Sequence, residues 1–175
     1  DEMLKSQCSS QLFLEGYTSP LRVTRGSGPV VVCESTTFQC AAEQHQRFSK
    51  VAALNFANPH EPGGGVKRGA MAQEECLCRC SDLYNALAQP YFQKHYYEYH
   101  EKNCDSLFSD RLIYSPDITV FKSDDKIPQM LDSPFHVDVI TCAAPYINSY
   151  VSYKTDELMN RYSTRIRNIL EVAMS

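Results

Sequence analysis

The chain has no tryptophan among its 175 residues and few glycines, seven in all. It also has no run approaching the roughly 18 consecutive apolar residues of a membrane span, so a membrane-resident protein is not expected. Positive charge is not in excess. Seventeen Lys and Arg stand against 21 Asp and Glu, a net charge of −4, so no global basic field draws in an acidic partner, and any such partner must meet local donors. The five histidines (His45, His60, His95, His100, His136) show no paired metal-ligand spacing. Cys76, Cys78 and Cys80 are separated by single residues rather than the two-residue gaps of zinc knuckles, so no metal site is expected. The opening Asp1-Glu-Met-Leu-Lys5 has neither a basic start nor an apolar stretch, and no secretory signal is expected. A cytoplasmic setting with all eight cysteines reduced follows as the expectation. Without repeats, low-complexity tracts or linkers, residues 1–175 read as one domain.

What glycine there is clusters. Gly63-Gly64-Gly65 is followed after seven residues by Gln73-Glu74-Glu75. Upstream, Val51-Ala-Ala-Leu-Asn55-Phe-Ala57 reads as a short buried strand closed by Asn58, Pro59 and Pro62. Three successive glycines cost folding entropy and pack no side chains. A loop that keeps them needs positive φ or close approach of its backbone to a ligand. After Met71 the run from Ala72 to Leu87 places apolar residues at helical intervals, with Glu74 and Glu75 in the first turn where the helix dipole favours acids. Either half alone is equally a turn and a capping charge. Joined, they suggest paired carboxylates beside a loop whose amides meet sugar or phosphate oxygens, that is, glycosidic-bond chemistry on a phosphate-bearing substrate.

Elsewhere, Leu21-Arg-Val-Thr24 and Val30-Val-Val-Cys33 predict strands, and Thr36 or Thr37 caps a helix through about His45. The stretch Tyr91–Tyr99 predicts further helix with core aromatics, since it lacks the clustered Arg and Lys of a nucleic-acid surface. Arg111–Tyr114 and Ile118–Phe121 read as two extended runs around Ser115-Pro116-Asp117. Phe135–Ile140 reads as a strand ending in Thr141-Cys-Ala-Ala-Pro145, where small residues leave room for a ligand at a strand's carboxyl end. A helix from about Thr155 to Met174 carries Leu158, Ile166, Ile169, Leu170 and Ala173 as the stripe expected to cover the sheet.

These blocks carry a resemblance. Leu54-Asn-Phe-Ala-Asn58, Pro62-Gly-Gly-Gly65, Gly69-Ala-Met-Ala-Gln-Glu-Glu75, Leu77-Cys-Arg-Cys-Ser-Asp-Leu-Tyr84, Ile113-Tyr-Ser-Pro-Asp117 and Ile140-Thr-Cys-Ala-Ala-Pro145 resemble, in order, the bacterial-type poly(ADP-ribose) glycohydrolases. The resemblance implies an α/β, three-layer, macrodomain-like fold with a mixed central sheet flanked by helices. It implies hydrolysis of ribose–ribose O-glycosidic bonds, releasing ADP-ribose, with Glu75 as acid/base and Glu74 orienting the sugar. Asn58, Gly63, Gly64 and Gly65 would bind the ribose, with Val66 and Gln73 beside them and Thr141 and Ala144 at the neighbouring strand end. Asn55 stands where some members have an acidic residue. Thr36, with Glu34 and Thr37, falls near the adenine side, where helix capping explains the threonines equally well. Tyr146 stands where bacterial relatives favour Asn. Lys67 and Arg68 are the local cations for an acidic polymer. No cofactor is implied, and the partners are poly(ADP-ribose) or ADP-ribose, with no membrane and no sequence-specific nucleic acid. The family continues past a matching final helix into a strand and a second, diphosphate-wrapping glycine-rich loop that has no counterpart here. A C-terminally incomplete domain, a second chain completing the fold, and a module that binds without efficient cleavage are the alternatives that follow.

Overall fold

A computed structural model describes residues 9–17, 28–147 and 154–174. Four strands form one mixed sheet: β1 (Gln11–Phe13), β2 (Ala52–Phe56), β3 (Leu112–Lys122) and β4 (Met130–Cys142), in the order β1-β3-β4-β2. β1 and β4 each run antiparallel to β3, and β2 runs parallel to β4 with Ala52 opposite Asp138 and Phe56 opposite Cys142. The helices are α1 (Thr37–His45), α2 (Gln73–Cys80), α3 (Leu83–Leu87), α4 (Pro90–Phe92), α5 (Glu98–Asn103) and α6 (Thr155–Ala173), with a π-helical turn, Gln93–Tyr97, joining α4 to α5.

Strand alternation sends residues to opposite faces of the sheet, and two apolar clusters result. Ala53, Ile113, Ile118, Val120, Val137 and Val139 pack against Phe38, Leu77, Leu83, Tyr96 and Tyr97. On the other face Leu54, Leu112, Ile140 and Cys142 pack against Ile169 and Val172 of α6. Helix, sheet, helix is the three-layer arrangement expected from the sequence. No helix among the described residues is long and apolar enough to cross a membrane.

Several expectations are corrected. Residues 30–33 form no strand: Val30, Val31 and Val32 are 96%, 74% and 94% exposed, because no strand among the described residues lies beside them. The predicted strand Leu21–Thr24 lies outside the described residues. The helix expected over 72–87 breaks at Ser81 and Asp82. Ser81 bridges to Val120, and the Asp82 carboxylate accepts from Thr119 N–H at 2.9 Å, so pairing with β3 outweighs helix continuation. The runs on either side of Ser115-Pro116-Asp117 are one strand interrupted by a bulge. Asp117 has φ 52°, and its N–H donates to the Asp138 carboxylate at 2.9 Å. β1 was not foreseen.

The last correction concerns α6, where Ile166 and Leu170 are about half exposed and the buried positions are Arg165, Asn168 and Val172. Arg165 is 3% exposed. Its guanidinium donates to the carbonyls of Ala143 (2.8 Å), Leu107 (3.0 Å) and Phe108 (3.3 Å) and to the Asp110 carboxylate (3.1 Å). One side chain thus ties α6 to the end of β4 and to the turn before β3. Arg165→Ala is expected to cost about 3 to 5 kcal/mol, the loss typical of breaking a buried ion pair from one side. Urea unfolding measures it, and a loss below about 1 kcal/mol, the worth of an exposed pair, would refute this bracing role.

Candidate active site

The site forms where α2 begins against the carboxyl ends of β2 and β4. Its first residue, Gln73, turns its amide onto the edge of β2 that faces away from β4. Phe56 N–H donates to Gln73 Oε1 at 2.9 Å, and Gln73 Nε2 donates to Leu54 O at 2.7 Å and to Thr37 Oγ1 at 3.3 Å. A side-chain amide here takes the place of a neighbouring strand's backbone and fixes the angle of α2 to the sheet.

Glu74 and Glu75 follow, 3% and 7% exposed. Glu74 turns toward the strand ends. Asn58 N–H donates to its Oε2 at 2.7 Å, and Asn55 Nδ2 to its Oε1 at 3.2 Å. Asn55, fully buried, also donates to Thr141 Oγ1 at 3.2 Å, so β2 and β4 both hold the carboxyl. Glu75 turns toward the glycine loop, where Gly65 N–H donates to its Oε1 at 2.8 Å. Its Oε2 is buried with no hydrogen-bond partner among the described residues. One oxygen of this carboxyl is thus anchored and the other is left for a ligand.

The glycines are required by both conformation and space. Gly63 and Gly64 have φ of 67° and 54°, the left-handed region that favours glycine. A Cβ on Gly64 would lie 2.5 Å from Glu75 Oε1, and one on Gly65 would lie 2.7 Å from Ala70 Cβ. After them, a short 3-10 turn (Val66–Arg68) folds the loop back.

Burial pushes the Glu74 carboxyl up to about 7. The amides of Asn58 and Asn55 oppose the rise, and the neighbouring charge of Glu75 adds to it.

The other expected site residues lie around this pair and beyond it. Asn58 spends its side-chain oxygen on the turn, accepting from His60 N–H (2.8 Å) and Glu61 N–H (3.2 Å), while its own N–H meets Glu74. Thr36 caps α1, accepting from Gln39 N–H and donating to Asp124 at 2.6 Å; it is Thr37 that reaches the signature helix. Ala144 lines a cavity of about 460 Å3 with Phe56, Ala57, Pro59, His60, Phe108, Pro145 and Tyr146. Arg68 is paired with Glu61 of its own loop, one contact measuring 2.9 Å, and the Lys67 ammonium sits 4.8 Å from the centre of the Tyr84 ring of α3, so both cations are engaged. Arg165 and Tyr96, whose hydroxyl accepts from Ala143 N–H at 3.1 Å, were not foreseen. The signal for Arg165 was its place in the stripe Leu158, Tyr162, Arg165, Ile169, Val172, which keeps helical spacing. Among the described residues, no group of three His, Cys, Asp or Glu could hold a metal ion.

Two measurements probe this arrangement. Between the ordinary carboxylate value and about 7 the folded chain binds more protons at Glu74 than the unfolded chain does. Stability is therefore greatest at the acid end of that window and falls as pH rises through it, by up to about 3 kcal/mol from this group. Glu74→Gln should flatten the slope in unfolding curves taken across the window, and an unchanged slope would assign it to another group. Gly64→Ala should destabilise by more than about 1 kcal/mol, because alanine is strained at positive φ. It should also displace Glu75 from Gly65 N–H in a crystal structure, and an undisturbed hydrogen bond would show the loop to be softer than this.

With this geometry in view, comparison with known proteins is informative. Residues 2–123 match the family described as microbial-type PARG, catalytic domain. A comparison with curated proteins found no match. The fold superposes on poly(ADP-ribose) glycohydrolase from Thermomonospora curvata bound to the inhibitor ADP-HPD with a TM-score of 0.84 and 31% identity, over 99% of this chain and 63% of that one. It superposes on the Deinococcus radiodurans enzyme in complex with ADP-ribose with a TM-score of 0.80 and 29% identity, over 98% of this chain and 70% of that one. The chain thus spans a little under two thirds of the Thermomonospora protein. The match over residues 2–123, most of this chain, shows that it belongs to the microbial-type poly(ADP-ribose) glycohydrolase family.

Proposed function

We propose that the chain hydrolyses ribose–ribose O-glycosidic bonds of poly(ADP-ribose), with Glu75 as acid/base. The observation that carries this reading is the asymmetry of Glu75: Oε1 is anchored on Gly65 N–H and Oε2 is buried and unpartnered. A terminal ribose seated on the glycine loop would lie against Oε2. As the bond between C1″ and the departing 2′-oxygen breaks, its electron pair leaves with that oxygen, which takes the Glu75 proton. The carboxylate then removes a proton from water as the water oxygen bonds to C1″. One carboxyl serves in both directions, and positioned proton transfer of this kind contributes on the order of 10²- to 10⁴-fold in rate.

Glu74 has the second role. Held by Asn58 N–H and Asn55 Nδ2, it orients the ribose, and with a pKa near 7 it presents a neutral hydroxyl in a large fraction of molecules at neutral pH. The substrate's own diphosphate stabilises the positive charge of the oxocarbenium-like transition state. Gly63, Gly64, Val66 and the Nδ2 of Asn58 complete the ribose contacts. Thr141 acts through Asn55, and Gln73 acts by setting the helix.

A binding module without efficient cleavage is the second reading, favoured by the span of the match, which leaves about a third of each relative's own chain uncovered. β2 is an edge among the described strands, bonded on its outer side through Gln73.

Release of ADP-ribose from poly(ADP-ribose), followed by chromatography beside titration calorimetry with ADP-ribose, separates these readings. Wild type should release ADP-ribose, and Glu75→Gln should lose at least about 100-fold in turnover while retaining ADP-ribose affinity. Equal turnover in both would remove Glu75 from the mechanism, and binding by wild type without release would establish the module instead.

A further inference from the structure

The cavity at the ends of β2 and β4 is unused in the mechanism above, yet it is built with care. Its floor comes from Ala57 and Ala144, and four aromatic side chains, Phe56, His60, Phe108 and Tyr146, stand around it. Phe108 has φ 54°, a conformation costly for a bulky residue, and such strain persists only where the surroundings over-determine it. Here they do. Arg165 donates to the carbonyls of Leu107 and Phe108 and to that of Ala143, so one buried guanidinium fixes the backbone at Phe108 and just before Ala144, two of the lining residues. Behind Phe108 the ring of His100 stands edge-on at 5.9 Å. It is fixed by hydrogen bonds to Tyr96 O and Ser109 Oγ, both 2.8 Å, and burial lowers its pKa to about 4. In front, His60 meets Phe108 edge to face at 5.6 Å. Phe56 and Tyr146, by contrast, are 63% and 62% exposed, so two large rings at the mouth remain wet.

We infer that this cavity is a nucleoside subsite for the leaving side of the substrate, receiving the adenine of the unit whose 2′-oxygen departs. Three observations decide the occupant. The lining carries no Lys, Arg or backbone nest suited to a phosphate; it is apolar and aromatic, the surface on which a flat base stacks. A volume of about 460 Å3 is ample for a nucleoside. The position is fixed by Asn58, which lies between the lining residues Ala57 and Pro59 while its N–H holds Glu74, so the cavity opens one residue from the carboxyl pair. A ribose bonded through its 2′-oxygen to the terminal unit at Glu75 would carry its own base into that space. The inference rests on the glycohydrolase reading for the identity of the base, and on the cavity itself for the presence of a site.

The test uses the 175-residue chain with adenosine as the probe, observed through the amide and aromatic resonances of Phe56, His60, Phe108 and Tyr146. Adenosine should shift these signals, and should still do so when ADP-ribose saturates the glycine loop, since the two occupy neighbouring places. Tyr146→Ala, at an exposed position, should weaken adenosine about tenfold while ADP-ribose affinity stays within about twofold, and the same spectra report that the variant is folded. Absence of shifts at these residues, or displacement of adenosine by ADP-ribose, overturns the inference. Adenosine bound in the cavity of a chain that neither binds ADP-ribose nor releases it supports the nucleoside site and overturns the glycohydrolase reading alone.

Discussion

Two adjacent carboxyl groups buried at the end of a parallel strand pair are the constraint around which this molecule is organised. Burying a carboxyl without a donor is costly, and burying two side by side adds their repulsion. The structure meets the cost with one backbone N–H for each, from Asn58 at 2.7 Å and Gly65 at 2.8 Å, at the N-terminus of α2 where the dipole also favours an acid. Those two amides belong to the same loop, which must therefore leave β2, turn at Asn58, and pass directly under the first turn of α2. Only glycine fits that path, since a Cβ at Gly64 would stand 2.5 Å from the carboxylate it is meant to admit.

The strand ends that carry this loop are braced from both faces of the sheet. On one face the hydroxyl of Tyr96, in the π-helical turn, accepts from Ala143 N–H; on the other, Arg165 of α6 donates to Ala143 O. Between them Asn55 crosses from β2 to Thr141 of β4 and reaches Glu74. Each bond alone is modest, about 1 kcal/mol net. Their value lies in fixing the carboxyls before any ligand arrives, so that the site is preorganised rather than rearranged on binding.

Much of this was legible in the sequence because the site is local. β2, the glycine loop and α2 lie within 30 residues, from Val51 to Cys80, and their periodicity and turn residues are strong. α1, with Thr36 or Thr37 as its cap, and the strand over Phe135–Ile140 were equally plain, although β4 begins earlier, at Met130. What failed depended on distant partners. Val30–Val32 has the composition of a strand and no strand beside it among the described residues, whereas β1 is three residues with a weak pattern, paired through Tyr114, Ile113 and Leu112. The break at Ser81 arises from Thr119 and Val120, some forty residues away in sequence. Arg165 escaped notice because a charge in an apolar stripe reads as a solvated neighbour of the stripe, and only the turn at Leu107 and Phe108 shows why it is buried.

The loop's cations show how an acidic chain could accept an anionic ligand. With a net charge of −4, Lys67 and Arg68 look like the obvious hands for phosphate, but neither is free for it. Arg68 closes on Glu61, which pulls the Glu61 carboxyl below its ordinary range, and Lys67 lies over Tyr84, whose ring would meet a Cβ on Gly63 at 2.9 Å. Both cations therefore stiffen the glycine loop rather than extend from it. Attraction must then come from backbone amides, which carry no net charge, and from a lowered negative charge in the site. The raised pKa of Glu74 supplies the second, because a neutral Glu74 carboxyl removes a charge that would repel an anion. The same burial that makes the pair costly to fold thus makes it tolerable to an anion.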